Sequence, residues 1–276
     1  MKVTATVLCE NSVFGIHGAT AEHGWAVFLE TDRGNFLLDT GQGMSILNNA
    51  RVLKIDLATV KAIILSHRHH DHTGGLPDVL DITGPVDVYA HPDLFKDSYS
   101  VRDGKMVHIG IPYNRALLET KGANFILSRE YREIAPGIGV TGEVPRRTAY
   151  EKGDGDLVCK AGNGFVADSF PDDQSIVIET GTGLFIVLGC AHAGIVNTIE
   201  YAIKKTGQTR IQAIIGGTHL GSVSEDQREQ SIKAFKEYDI GRIGVSHCTG
   251  LKTSMRLARE FGERFFFCNV GTVVKV

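Results

Sequence analysis

The chain has 276 residues, 42% hydrophobic and 22% charged, which suits a folded globular protein with a large core and excludes a disordered one. Lys and Arg total 29 against 32 Asp and Glu, a net charge of −3, so no basic surplus announces a nucleic-acid partner. The longest apolar run, 183–191, is too short to span a bilayer.

The first strands expected are Val3–Leu8, Trp25–Glu30 and Asn35–Asp39, rich in β-branched and aromatic residues. Thr31-Asp32-Arg33-Gly34 reads as a hairpin turn between the last two. A helix is expected over Ser45–Val52. Ala62–Leu65 is a short apolar run between polar residues, like a strand buried on both faces, and Val86–Ala90 is another strand. From about 92 to 170 the pattern weakens, and the stretch reads as an irregular insertion of loops and short strands, the kind that carries substrate contacts. The second half alternates. Strands are expected at Ser175–Glu179 and Leu184–Leu188, then a helix over Ile195–Lys205 closed by Gly207. Ala213–Ile215 follows as a strand, Glu225–Tyr238 as a helix, Ile243–Val245 as a strand, Ser254–Phe261 as a helix and Phe265–Cys268 as a strand. Both halves begin with strands and go on to alternate strand and helix. This predicts an α/β fold, an αββα sandwich, over one domain of 1–276 with the insertion.

No secretory leader is visible at the N-terminus, and the five Cys are scattered without a Cys-x-x-Cys pair. A cytoplasmic chain with reduced thiols is the expectation.

The chemistry lies in the eleven His. His67, His69, His70 and His72 with Asp71 crowd six residues directly after the strand Ala62–Leu65. Residues just beyond a buried strand emerge at a sheet edge, where ligand sites gather. Imidazole and carboxylate are metal ligands, and this density favours metal over a solvated loop. His67 and His69 point the same way in an extended turn, while Asp71 and His72, at a helix start, face a second point. Two adjacent metals are the natural geometry. His192, His219 and His247 each follow a short apolar strand and precede a helix, so they are expected to converge on the same edge.

Asp39-Thr40-Gly41, the His67-x-His69-x-Asp71-His72 run, His192 and His247 together resemble the metallo-β-lactamase superfamily. The resemblance implies the αββα fold and a site for one or two divalent ions, zinc first, with iron or manganese also suited to His and Asp ligands. It implies His67, His69 and His192 as ligands of one metal and Asp71, His72 and His247 as ligands of the other. Asp71 is then also a proton acceptor, and Asp39 the carboxylate that orients ligand imidazoles. Many members bridge the metals with an Asp where this chain has Gly216-Gly217-Thr218-His219. His219 is therefore expected to bind one metal or an anionic group of the substrate. No Cys lies between His192 and His247, which argues against β-lactam hydrolysis. Cys190 and Cys248 flank ligands and read as packing residues.

Several further segments, among them Ala21-Glu22-His23-Gly24-Trp25, Thr141-Gly142-Glu143-Val144-Pro145-Arg146 and Gly189-Cys190-Ala191-His192, resemble one subgroup end to end. It comprises metal-dependent hydrolases and an archaeal dihydropterin–aminobenzene ribofuranosyl phosphate synthase. That likeness implies a small phosphate- or diphosphate-bearing substrate and a transferase or hydrolase reaction. Arg146 and Arg147 are the expected phosphate-binding residues. His17 and His23 read as surface or packing residues. A nuclease or phosphodiesterase and a non-catalytic metal-binding protein are the competing readings. No membrane partner is expected, and a homo-oligomer is allowed.

Overall fold

The computed structural model describes residues 1–276. The strands are β1 (Val3–Cys9), β2 (Ala26–Thr31), β3 (Gly34–Leu38), β4 (Val60–Ile64), β5 (Val86–Ala90), β6 (Ser98–Arg102), β7 (Lys105–His108), β8 (Ala123–Leu127) and β9 (Arg132–Ala135). They continue as β10 (Ile138–Val140), β11 (Leu157–Ala161), β12 (Gly164–Ala167), β13 (Ile176–Thr180), β14 (Gly183–Val187), β15 (Ile211–Gly217), β16 (Ile240–Ser246), β17 (Phe265–Phe267) and β18 (Val273–Lys275). The helices are α1 (Ile46–Val52), α2 (His70–Thr73), α3 (Leu76–Thr83), α4 (Arg115–Thr120), α5 (Ile195–Thr206), α6 (Glu225–Phe235) and α7 (Leu251–Phe261).

Two seven-stranded sheets form the core, ordered β18-β1-β2-β3-β4-β5-β8 and β17-β16-β15-β14-β13-β10-β9. Strand periodicity explains why they stack. Alternate residues of β4 face opposite ways: Ile63 packs with helices α1 and α3, whereas Ala62 and Ile64 meet Phe185, Val187 and Ile215 of the other sheet. The outer face of the second sheet is sealed by α5, α6 and α7 through Ile199, Ile232 and Leu257. The layers are therefore α, β, β, α, as the sequence pattern implies.

Helix ends follow local chemistry. Gly207 closes α5 in the left-handed conformation at φ +75°, and the Ser224 side chain caps the α6 amide of Gln227. Helix α6 stops at Phe235, short of Tyr238, because the chain must turn into β16.

The stretch at 92–170 differs from the expectation of an irregular insertion. It gives β8 to the first sheet and β9 and β10 to the second, and only β6, β7, β11 and β12 form an added four-stranded sheet. Its strands are short, and β7 and β12 are exposed throughout, so their hydrophobic periodicity is weak in the sequence.

In each core sheet four neighbouring strands run parallel, β3-β4-β5-β8 and β14-β15-β16-β17. The residues that follow β3, β4, β14, β15 and β16 therefore leave at strand C-termini, where open α/β sheets gather their ligands. Below this edge Trp25 is fully buried and donates its indole N–H to the Leu188 carbonyl at 2.9 Å, tying the first sheet to the end of β14.

Candidate metal centre

Asp39 leaves β3 at φ +58° and is fully buried. Its carboxylate accepts the Ser66 N–H at 2.7 Å, the Ser66 hydroxyl at 2.6 Å and His72 Nδ1 at 2.7 Å. That third bond fixes the His72 tautomer and leaves Nε2 free. Ser66 Oγ also meets His67 Nδ1 at 2.9 Å, which aims His67 Nε2 at His69 Nδ1, 3.0 Å away. A side chain at Gly189 would collide with Ser66 Oγ, so a bare backbone is required there.

His247, after β16, is anchored through its N–H to Glu10 Oε1 at 2.7 Å and through Nδ1 to Asn11 Oδ1 at 2.8 Å. Its Nε2 lies 3.3 Å from His72 Nε2 and 3.1 Å from Asp71 Oδ2. His192, after β14, stacks on Phe170 with ring centroids 4.0 Å apart and touches the edges of His67 and His69. His219 follows β15; its ring lies 4.1 Å from that of His192, and its Nε2 meets Ser222 Oγ at 3.1 Å and Asp154 Oδ2 at 3.6 Å. The structure brings His67, His69, Asp71 and His72, after β4 of the first sheet, together with His192, His219 and His247, after β14, β15 and β16 of the second.

Five of the seven non-glycine residues with positive φ surround this cluster: Asp39, Phe170, Ala191, His219 and His247. Such conformations cost energy and persist where the surroundings over-determine them, commonly at functional sites.

The donor chemistry fits a metal. His72 and His247 both commit Nδ1 to a hydrogen-bond acceptor, so their Nε2 atoms face each other at 3.3 Å, where a metal can take the place of a shared proton. His69 Nε2, His192 Nε2 and His219 Nδ1 are buried without partners. Burial drives His67 and His192 well below the ordinary imidazole range and brings His69 down to about 3, which keeps them neutral. For His72 burial pulls the same way, but the Asp39 and Asp71 carboxylates outweigh it and raise it to about 9. Asp71, despite burial, is held well below the carboxylate range by the charge of His72 and by hydrogen bonds from His23 and His247. Two sets of donors result. His67, His69 and His192 lie within 4.8 Å of one another, and Asp71, His72 and His247 are linked by contacts of 3.1, 3.3 and 3.9 Å.

Local sequence concealed several contributors. His23 reaches Asp71 Oδ2 at 3.2 Å and shares Asn11 with His247, although its side chain is 59% exposed. Arg68, inside the histidine run, is fully buried between Asp168 and Asp172 and ties the metal loop to the segment that carries Phe170. Cys190 Sγ lies 3.2 Å from His72 Nε2. Its place after a buried strand, two residues before His192, was the available signal.

A cleft of about 320 Å³ is lined by His69, Asp71, His192, His219 and His247 and by Ser100 and Arg102 of the added sheet. Arg146 and Arg147 are not in it. The Arg146 guanidinium donates to the carbonyls of Glu151, Ser169 and His192, so it braces the ligand loop from behind. Arg147 lies beside Asn197 and Tyr201, away from the cleft. The expectation that this pair receives phosphate is corrected by that geometry; the arginine at the cleft is Arg102. A larger depression of about 440 Å³ between α6 and α7 is lined by charged groups such as Lys236, Arg256 and Glu260, which pair with one another, and it has no donor cluster. No helix is long and apolar enough to cross a membrane.

A family profile described as the metallo-beta-lactamase superfamily matches residues 19–205. The chain is 33% identical over 267 residues to the 7,8-dihydropterin-6-methyl-4-(beta-D-ribofuranosyl)-aminobenzene-5'-phosphate synthase of Methanocaldococcus jannaschii, covering 92% of this chain and 90% of that one. An uncharacterised protein of the same organism, MJ0448, is 30% identical, with 93% and 94% covered. Among solved structures, Tm1679, described as a metal-dependent hydrolase of the beta-lactamase superfamily, superposes with a TM-score of 0.84 at 27% identity, covering 99% of both chains.

Proposed function

The chain belongs to the metallo-β-lactamase superfamily, and from that premise we propose that it is a binuclear metal-dependent enzyme acting on a small phosphate- or diphosphate-bearing substrate, by group transfer or hydrolysis. The observation that carries this reading is the pair of donor sets at a cleft whose lining joins His69, Asp71, His192 and His247 with Ser100 and Arg102. His67, His69 and His192 would hold one ion, and Asp71, His72 and His247 the second; zinc suits this donor mix, as do iron and manganese. Such ions supply Lewis acidity and neutralise charge on phosphate oxygens.

The chain's own residues do the rest. Asp39 holds His72, and through Ser66 also His67, in one tautomer and orientation. Asp71 would help orient the attacking group, and His23, bonded to Asp71 Oδ2 and open to solvent, lies where a proton can leave the site. Arg102 meets the substrate phosphate at the cleft mouth, and the Ser100 hydroxyl, buried without a partner, points to a second polar contact. The likeness to the archaeal synthase supports a dihydropterin diphosphate and a phosphorylated aminobenzene riboside as the substrate pair.

Initial rates on a panel of phosphomonoesters, phosphodiesters, lactones, thioesters, β-lactams and the dihydropterin diphosphate couple test the reading. The best turnover is expected among the phosphate-bearing compounds. A thioester or lactone preferred by orders of magnitude would overturn it.

A further inference from the structure

Across the two donor sets Asp71 is the one carboxylate, and the other five donors are imidazoles. Two divalent ions bring four positive charges into a buried site, and neutral imidazoles cancel none of them. His219 adds another imidazole, and its Nε2 is turned toward Asp154 and Ser222.

The anion this centre lacks is available from the end of β14. We propose that Cys190 is a metal ligand whose thiolate is shared between the two ions, an inference that rests on the binuclear reading above. Cys190 is 2% exposed, and its Sγ forms donor groups with His67 and His72, with His192 and His219, and with His247 and Cys248, the atoms of each group within 4.8 Å of one another. It thus reaches donors of both sets. Tetrahedral zinc, with Zn–N about 2.0 Å and Zn–S about 2.3 Å, places its nitrogen and sulfur donors about 3.5 Å apart. Cys190 Sγ and His72 Nε2 lie 3.2 Å apart, close to that spacing. Ala191, between Cys190 and His192, takes φ +54°, and His192 Nε2 is buried without a partner beside the same sulfur. A thiol gives up its proton to an incoming metal, and sulfur has lone pairs enough for two. Cys248 is placed differently: its Sγ already accepts the His219 N–H at 3.3 Å, and its donor group contains only Cys190 and His247.

Cobalt(II) titration of the metal-free protein tests this by absorption, independently of turnover. The expected result is a thiolate-to-cobalt charge-transfer band in the near ultraviolet that grows with both the first and the second equivalent. Cys190→Ser should lose the band and bind the second ion at least about tenfold more weakly, while Cys248→Ser keeps the band. If the serine variant at 190 does not fold, wild type and Cys248→Ser decide, because Cys190 is then the thiol left in the donor set. Two bound equivalents without the band, a band that survives in Cys190→Ser, or a band that Cys248→Ser abolishes would overturn the thiolate assignment and leave the binuclear reading standing. Growth with one equivalent only would overturn the sharing. A protein that binds no cobalt at all would sink both.

Discussion

The two halves of the centre are built on different physics. His67, His69 and His192 are neutral because they are buried, and packing against one another and against Phe170 sets their geometry. Asp71, His72 and His247 are set by charge and by chains of polar partners that run out to Asp39, Glu10, Asn11 and His23. The first half is a rigid pocket of lone pairs, and the second is an anionic network that reaches solvent. Of the histidine and aspartate donors, the first half offers nitrogen alone, whereas the second also offers a carboxylate. The second half is therefore the one that pH and outer partners tune.

The sharpest way to break this contrast is to remove one donor from each half. His67→Ala and Asp71→Ala should each lower turnover by at least about 10³-fold, since a catalytic ion contributes several kcal/mol. Both variants should keep their far-ultraviolet circular dichroism, and Asp71→Ala should retain one tightly bound equivalent when metal content is measured after dialysis. Equal retention of both ions in Asp71→Ala would erase the distinction.

Asp39→Asn acts on the same network one step out. An outer partner of this kind is worth about 10–100-fold in metal affinity. Competition with a chromophoric chelator should show the loss concentrated in the Asp71–His72–His247 site, because Asp39 bonds His72 directly and His67 only through Ser66.

The contrast also has a signature in the metal-free chain. His69 is depressed to about 3, so between pH 3 and 6.5 the unfolded state binds more protons, and stability is lost as pH falls through that window. His72 is raised to about 9, so its contribution is complete below pH 6.5 and is lost as pH rises through 9. Urea midpoints should peak near pH 6.5, with limbs of up to about 1.4 kcal/mol per pH unit for each group. Monotonic stability from pH 4 to 9 would contradict the opposed assignments.

The smallest effect concerns the arginine that the added sheet contributes to the cleft. Arg102→Ala should raise KM for phosphate-bearing substrates about fivefold, as an exposed ionic contact of about 1 kcal/mol allows, with kcat nearly unchanged. An unchanged KM would remove Arg102 from substrate binding.

How much of this was legible from sequence follows from distance along the chain. The histidine run sits beside the apolar pattern of β4, so both strand and ligands are read locally. The same holds for His192, His219 and His247, each at the end of a short apolar strand. Cys190 and Arg68 act through partners more than 100 residues away, His72 and Asp172, and no local periodicity encodes such a pairing. His23 is joined to the centre through Asn11 and Asp71, which follow β1 and β4 and come together only once the first sheet has formed. Arg146 illustrates the converse: its residue type suits phosphate, but three backbone carbonyls occupy it. Arg102, at the end of an exposed added strand, had no pattern to mark it.

The central claim is that both halves hold metal and that turnover needs both. Stepwise titration of metal-free protein with zinc, following bound metal and turnover of the dihydropterin diphosphate couple in the same samples, tests it most directly. Two equivalents should bind per chain, with activity that is low after the first and rises with the second. Full activity at one equivalent, or activity that survives complete chelation, would contradict it.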